Sequence, residues 1–298
     1  MIRIANAPCS WGALEFELAG EVPAADRVLD EMAAAGYAAT ELGDWGFLPV
    51  EPAALGEVLA RRGLGLAGGF VPVALADRSA HREGRERAVR TARLMAAVAR
   101  DAVLVLSDDN GRDPARAGRA GRIRAEDGLD ADSWRIFAGA TDEIARAVTG
   151  ETGLRLAFHH HCGGFVETPA EIDRLMEMTE PAAVGLCLDT GHVTYGGGDP
   201  VATAARHGER VRHVHFKDCD PAVAEAARRD QVDYLEAVRR GVFCELGAGV
   251  VDFTALLDHL RGRGYAGWIV VEQDVFPGMG RPLDSARRSR AYLRERGA

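Results

Sequence analysis

Short apolar runs alternate along the chain with longer segments whose apolar positions recur at helical spacing. The apolar runs predict eight strands, which begin near residues 2, 37, 64, 102, 154, 184, 211 and 267. Each run is continuously apolar, which is typical of parallel strands covered on both faces. The helical patterns cover residues 23–35, 52–62, 85–100, 132–148, 169–178, 200–207, 221–240, 252–261 and 285–296.

This alternation predicts an α/β fold, a (β/α)₈ TIM barrel in one domain spanning residues 1–298. An open doubly wound sheet is the structural alternative. That fold usually carries a glycine-rich phosphate-binding loop after its first strand, whereas residues 8–12 of this chain are PCSWG. The barrel is therefore favoured.

Two segments depart from the simple repeat. A helical insertion is predicted near residues 219–245, and residues 107–130 form a long loop rich in Gly, Arg and Asp. This loop is either solvated and mobile, or a lid whose arginines close over an anionic or polyhydroxylated substrate. The arginines concerned are Arg112, Arg116, Arg119, Arg122 and Arg124.

Charge and composition exclude several classes of protein. The formal net charge is −9, from 36 Lys and Arg against 45 Asp and Glu, which disfavours a general binder of nucleic-acid phosphates. No apolar run approaches the length of a membrane helix, and the first residues do not resemble a signal segment. Five scattered cysteines without a CxxC pair fit reduced thiols. We therefore expect a cytoplasmic protein without nucleic-acid or membrane partners.

Four of the predicted strands end in residues that can bind a metal. They occupy residues 154–161 (LRLAFHHH), 184–192 (VGLCLDTGH), 211–218 (VRHVHFKD) and 267–274 (GWIVVEQD). Polar groups are costly to place inside an apolar core, and the carboxyl ends of barrel strands share one face. The pattern therefore predicts one shared site at that face.

The side chains at these ends have the chemistry of a transition-metal site. The candidate ligands are His159, His161, Asp189, His213, His215 and Glu272. Residues two apart on a strand share a face, so each His-x-His pair points to one side. Imidazole and carboxylate donors suit Mn²⁺, Co²⁺, Fe²⁺ or Zn²⁺, and the lack of a cysteine argues against structural zinc.

Several motifs resemble a known superfamily. The sequence DTGH at 189–192, HVHFKD at 213–218 and the later Glu272 are similar to the metal signature of xylose-isomerase-like barrels. That superfamily includes sugar isomerases and epimerases, endonuclease-type repair enzymes and dehydratases. The chain most resembles its myo-inosose-2 dehydratase branch. This likeness is carried by residues 40–43 (TELG), 159–161 (HHH), 188–192, 197–200 (GGDP), 213–218 and 267–274.

The resemblance implies roles for individual residues. Asp189, His215 and Glu272 match metal ligands of the superfamily. His159 stands where the superfamily usually has a glutamate, so it is either the fourth ligand or is replaced by water. His192 matches a position beside the metal or the substrate, and is interpreted as substrate-binding.

Other residues are candidates by their place in the chain. Glu41 ends the second strand and either reaches the substrate or is a loop carboxylate. Lys217 either points outward into a salt bridge or turns inward, where desolvation and nearby positive charge would lower its pKa. His161, Lys217 and Glu41 are the candidates for acid and base. The remaining substrate-binding candidates are His213, Trp11 and Trp45, with packing in the core as the alternative for the two tryptophans.

The resemblance implies a metal-dependent dehydratase that acts on a keto-cyclitol such as 2-keto-myo-inositol. Abstraction of an α-proton, an enediolate stabilised by Mn²⁺ or Co²⁺, and loss of a β-hydroxyl are expected, with Zn²⁺ or Fe²⁺ as alternative metals. A ketose epimerase or isomerase would use the same enediolate. An abasic-site endonuclease is disfavoured by the charge, and a sugar-sensing barrel by the intact ligands. The expected partner is a small polyol or keto-sugar; a homo-oligomer is left open.

Overall fold

Eight parallel strands close into a barrel in the computed structural model, which describes residues 2–14 and 21–298. The strands of the described residues are β1 Arg3–Asn6, β2 Ala39–Glu41, β3 Gly65–Val73, β4 Val103–Asp108, β5 Arg155–His159, β6 Val184–Asp189, β7 Val211–Phe216, β8 Asp218–Cys219, β9 Phe243–Cys244 and β10 Trp268–Val271. The barrel order is β1-β10-β7-β6-β5-β4-β3-β2. The predicted TIM barrel is confirmed.

Helices follow the barrel strands and cover the outside of the barrel. They are α1 Ala25–Ala35, α2 Pro52–Ala60, α3 His81–Val98, α4 Pro114–Gly118, α5 Ala131–Thr152, α6 Pro169–Met178, α7 Thr190–Tyr195, α8 Pro200–His207, α9 Pro221–Arg229, α10 Tyr234–Arg239, α11 Phe253–Gly262 and α12 Pro282–Glu295. In the described ranges, none is long and apolar enough to cross a bilayer.

Alternate residues of each barrel strand pack into different layers. In β4, Leu104 and Leu106 belong to the large core shared with the helices. Val103 and Val105 pack instead with Ala157, one of a set of small residues on the other face. This two-sided burial explains why the strands are continuously apolar.

The barrel register brings the polar strand ends to one level. Along the barrel, β5 pairs with β6, β6 with β7, and β7 with β10. Asp189 lies opposite His215 in the register, and His159 lies opposite Cys187, two residues before Asp189. The four polar-ended strands are therefore consecutive neighbours.

The insertion, residues 219–245, was predicted to be helical over about 221–240. It contains α9 and α10, which are separated at Gln231, a residue with a φ of 55°. Asp233 then caps α10 by accepting the N–H of Glu236. The strands β8 and β9 pair antiparallel and close the insertion at its base. The insertion is helical, but the break between α9 and α10 depends on the turn at Gln231 and on the cap at Asp233.

Residues 107–130 are held on the barrel by Arg116, while residues 111, 112, 114, 115 and 124–126 of the same segment are exposed. Arg116 is fully buried and forms a two-bonded ion pair with Glu171 of α6. The other four arginines also bond to protein groups, namely Arg112 to Asp77, Arg119 and Arg124 to Asp127, and Arg122 to the carbonyls of Gly118, Gln231 and Val232. None of the five lines the cleft described below.

Candidate active site

Four side chains converge at the carboxyl end of the barrel. The ligand atoms of His159, Asp189, His215 and Glu272 all lie within 4.8 Å of one another. Asp189 Oδ2 is 3.4 Å from His159 Nε2 and 3.7 Å from His215 Nδ1, which is 3.2 Å from Glu272 Oε2. All four are buried. The structure therefore brings together the four side chains that were singled out as candidate metal ligands.

Asp189 caps a helix and faces the cluster at the same time. Its Oδ1 accepts the N–H of His192 and so caps α7, which begins directly after β6. Its Oδ2 is buried and has no hydrogen-bond partner among the described residues. The predicted strand end at 189–192 is thus a strand followed by a helical turn, because the aspartate starts α7.

Glu41 of β2 determines which nitrogen of His215 faces the cluster. Glu41 Oε1 lies 3.3 Å from His215 Nε2 and 2.7 Å from His213 Nε2. A hydrogen bond donated by His215 Nε2–H places Nδ1 on the side of Asp189 and Glu272, where it could bind a metal. Gly68 makes room for this contact, since a Cβ there would lie 2.6 Å from Glu41 Oε1.

The electrostatics of Glu41 agree with a role in orienting the two histidines. Burial alone would raise the pKa of Glu41, yet His215 and His213 outweigh it and hold this pKa well below its usual value. A carboxylate with such partners accepts hydrogen bonds rather than taking protons from a substrate. Glu41 lines the cleft, but its Oε1 already has His213 and His215 as hydrogen-bond partners.

The cluster fits a divalent transition metal. Asp189 Oδ2 and His215 Nδ1 are buried, lie 3.7 Å apart, and are without hydrogen-bond partners in residues 2–14 and 21–298. Orphaned buried polar atoms are rare in proteins, and a cation would satisfy both. Two imidazoles and two carboxylates form a donor set that suits Mn²⁺, Co²⁺, Fe²⁺ or Zn²⁺.

Lys217 turns into the barrel directly after β7. Thr190 Oγ1 accepts the Lys217 backbone N–H at 2.9 Å and donates to its carbonyl at 2.7 Å, which fixes the backbone at this point. Gly191 lets α7 approach closely, because a Cβ there would lie 2.6 Å from Lys217 Cγ. Of the two predicted orientations of the Lys217 side chain, the structure has the inward one.

The Lys217 ammonium is surrounded by carboxylates. Its Nζ lies 3.0 Å from Asp274 Oδ1, 3.1 Å from Glu272 Oε2 and 3.4 Å from Asp189 Oδ2. Burial alone would lower the pKa of Lys217, but the carboxylates of Asp189, Asp274 and Glu272 outweigh it and hold this pKa well above its usual value. The expected lowering of this pKa depends on the positive charge of a bound metal and stays a prediction. The carboxylates keep Lys217 as an ammonium ion, which carries a proton.

His161 and His192 lie together beside Lys217. Their ring centroids are 3.9 Å apart, and His192 Nε2 lies 3.1 Å from Lys217 Nζ. His161 Nδ1 donates to the carbonyl of Cys162 at 2.7 Å, which leaves Nε2 as its basic nitrogen. Burial, together with His159 and Lys217, lowers the pKa of His161 well below its usual value. A neutral imidazole can take up a proton.

These side chains surround a cleft of about 510 Å³. Its polar lining includes Glu41, His159, His161, His215, Lys217, Glu272 and Asp274. His192 lies behind Lys217 and His161 and is fully buried, so the structure places it one layer away from the cleft.

The other three predicted substrate contacts also do not reach the cleft. Trp11 is buried in the core and its indole N–H donates to Glu31 of α1 at 2.7 Å. Trp45 is 42% exposed and lies against the guanidinium of Arg90. His213 is fully buried beneath Glu41. These positions follow from turns and tertiary contacts that strand order alone does not specify.

Two residues of the site were missed in the sequence. Asp274 lies two residues beyond Glu272 and holds Lys217, while Tyr234 comes from the insertion and contacts Asp274. The sequence does single out Lys217, which contacts Asp274. It is the only lysine in the chain, which has 35 arginines. A single lysine in an arginine-rich chain indicates a position where a compact ammonium is needed. Tyr234 had no comparable signal.

Comparison with known proteins identifies the family. A family model described as xylose isomerase-like TIM barrel matches residues 29–296. The chain belongs to this family. The predicted resemblance is confirmed.

Curated relatives match over nearly the whole chain. The rhizopine catabolism protein MocC of Rhizobium meliloti is 38% identical over 293 residues, covering 98% of this chain and 87% of the relative. The inosose dehydratase of Geobacillus kaustophilus is 36% identical over 297 residues, covering 98% and 93%.

Solved structures share the fold at low sequence identity. A D-allulose 3-epimerase from Methylomonas sp. superposes with a TM-score of 0.71 at 15% identity, covering 99% of this chain and 98% of that one. The probable 3-DHS dehydratase AsbF from Bacillus anthracis gives a TM-score of 0.70 at 12% identity, covering 99% of each chain. One barrel architecture therefore occurs in proteins with both epimerase and dehydratase names.

Proposed function

We propose that this protein is a metal-dependent hydro-lyase that dehydrates a keto-cyclitol, 2-keto-myo-inositol. Whole-length relatives named inosose dehydratase confirm the prediction of a lyase-type enzyme. The observation that carries the specific proposal is the pairing, in one cleft, of a lysine ammonium and a neutral imidazole beside the four-residue cluster. Dehydration needs an acid and a base on the same substrate.

In the proposed reaction, His161 removes the proton from the carbon next to the ketone. The electron pair of that C–H bond first moves toward the ketone, giving an enediolate, and then forms a carbon–carbon double bond as the C–O bond of the β-hydroxyl breaks. Lys217 gives a proton to the departing hydroxide, which leaves as water. The remaining enol then rearranges to a diketone. Protons and electrons balance, because the base gains the proton that the substrate loses and the acid supplies the one that water gains.

His159, Asp189, His215 and Glu272 would hold the divalent cation. When bound there, it supplies a Lewis acid for the negative charge that develops on the ketone oxygen. Glu41 keeps His215 Nδ1 directed at this position and is a positioning residue rather than an acid or base. His192 contacts the Lys217 ammonium from outside the cleft.

Removal of metal tests the proposal. Protein treated with a chelator should lose activity on 2-keto-myo-inositol and regain it with Mn²⁺ or Co²⁺, with Zn²⁺ and Fe²⁺ compared in parallel. Formation of the diketone can be followed by its ultraviolet absorption, and bound metal by elemental analysis. Full activity of the metal-free protein would contradict the proposed chemistry.

A ketose epimerase is the second candidate. It would use the same cluster but return the proton to the carbon instead of losing water, and the epimerase among the similar structures supports the fold only. Product analysis by NMR separates the two, since an epimer keeps its hydroxyl groups. The cytoplasmic location and the oligomeric state stay predictions.

A further inference from the structure

Tyr234 reaches the site from the insertion rather than from a barrel strand. It is the first residue of α10, is 4% exposed, and its hydroxyl donates to Asp274 Oδ2 at 2.9 Å. The same hydroxyl lies 3.3 Å from His161 Nε2. One oxygen thus contacts both the proposed base and the carboxylate that holds the proposed acid.

Asp274 connects Tyr234 to the lysine. Its Oδ2 accepts from Lys217 Nζ at 3.0 Å as well as from Tyr234, and its Oδ1 is also 3.0 Å from Nζ. The contacts form a continuous chain from Lys217 through Asp274 and Tyr234 to His161. Phe243, also from the insertion, lies 5.0 Å from the lysine Nζ on its other side.

We propose that Tyr234 is a positioning residue, which the insertion supplies to hold Asp274 against Lys217 beside His161. A carboxylate on a short side chain can rotate, and a donor on one oxygen restricts that rotation. Without the hydroxyl, Asp274 keeps its partner Lys217 but loses its fixed orientation. The inference rests on the proposed function, in which Lys217 is the acid and His161 the base.

The chain offers a matched control for this hydroxyl. Tyr195 lies in the same apolar cluster as Tyr234, and its ring is 6.3 Å from Phe243, against 6.5 Å for the Tyr234 ring. The buried Tyr195 hydroxyl has no hydrogen-bond partner in the described part of the chain. Tyr234→Phe and Tyr195→Phe therefore remove the same atom from the same kind of packing.

Steady-state kinetics on the metal-loaded enzyme give the first test. In Tyr234→Phe, kcat should fall by about tenfold to a hundredfold, as is typical when a group that orients a site residue is lost. KM, bound metal and Tm should stay close to those of the unaltered protein. Tyr195→Phe should leave all of these unchanged. Equal kcat in the two variants would overturn the inference, as would a loss in Tyr234→Phe that follows Tm.

A double variant tests whether Tyr234 acts through Asp274. Asp274→Asn should lower kcat by itself, and adding Tyr234→Phe should cause little further loss, because residues in one network are not additive. Losses that multiply would show that the hydroxyl acts independently of Asp274, and the inference would be wrong.

The only lysine gives a readout that does not depend on turnover. Labelling with ¹⁵N- and ¹³C-lysine places a single side-chain reporter at Lys217 in zinc-loaded protein. Tyr234→Phe should shift the Lys217 side-chain signals and speed the exchange of the ammonium protons, and Tyr195→Phe should do neither. Unchanged signals in Tyr234→Phe would overturn the inference. If the unaltered protein fails to dehydrate the inosose, the proposed function fails, while these spectra still decide the role of Tyr234.

Discussion

Asp108 and Asp189 end barrel strands on either side of β5, yet the protein uses them differently. Both are buried, and each lies at the carboxyl end of its strand. Both carboxylate oxygens of Asp108 accept hydrogen bonds from backbone N–H groups, those of Leu75 and Phe165. One oxygen of Asp189 accepts a hydrogen bond from a backbone N–H, and the other faces His159 and His215. Asp189 is the candidate ligand of the two because its Oδ2 has no hydrogen bond within the described residues and faces the other candidate ligands.

The clefts beside these two residues show the same contrast. The cleft next to Asp108 has a volume of about 640 Å³, larger than the 510 Å³ of the candidate active site. Its charged residues pair with one another, as Arg112 does with Asp77 and Asp109. Size therefore does not distinguish the two clefts, whereas unsatisfied polar atoms do.

The largest expected effect is that of Asp189→Asn. An asparagine still caps α7 through its side-chain oxygen, so Tm should change little. Its amide replaces the charged oxygen at the cluster, and metal-dependent turnover should fall by more than about 100-fold, beyond the usual cost of losing a supporting group. Turnover and bound metal are measured together.

Asp108→Asn is the matched control for that experiment. It makes the same chemical change at a strand end outside the cluster and should leave turnover and bound metal nearly unchanged. An equal loss in the two variants would remove the distinction between the two aspartates.

Glu41→Gln should have an intermediate effect. Glu41 ends β2 and touches the cluster only through His215 and His213. A glutamine side chain can present its NH₂ to these histidines and allow His215 to place its proton on Nδ1. Metal affinity or turnover should fall by about tenfold to a hundredfold. A Kd for Zn²⁺ equal to that of the unaltered protein would contradict the orienting role.

The last prediction concerns stability rather than turnover, and it applies to the end of β4. Burial, only partly offset by the backbone donors, raises the pKa of Asp108 from 3.8 to about 6. The folded state then binds this proton more tightly than the unfolded state. Its contribution to stability is full below about pH 4 and is lost as the pH rises through about 6. At about 1.4 kcal/mol per pKa unit, the loss is on the order of 3 kcal/mol.

Urea unfolding of the unaltered protein and Asp108→Asn at pH 4 and pH 7 measures this loss. The difference in the free energy of unfolding between the two proteins should change with pH, to the disadvantage of the unaltered protein at pH 7. A constant difference would mean that the Asp108 proton is bound equally in both states.

The sequence determined the barrel and the four strands that carry the candidate ligands, because continuous apolar runs and their polar ends are local features. It also specified His159, Asp189, His215 and Glu272, since the carboxyl ends of parallel strands must meet at one face. It left the direction of Lys217 open, and it gave no sign of Tyr234.

Only the tertiary structure decided which polar atoms remain unpaired. Lys217 turns inward because Thr190 of α7 holds its backbone, a contact across 27 residues. Trp11 and Trp45 lie outside the cleft because Trp11 bonds to Glu31 and Trp45 packs against Arg90. Tyr234 joins the site because the turn at Gln231 and the cap at Asp233 direct α10 over the barrel. Such contacts join distant parts of the chain, so local patterns do not contain them.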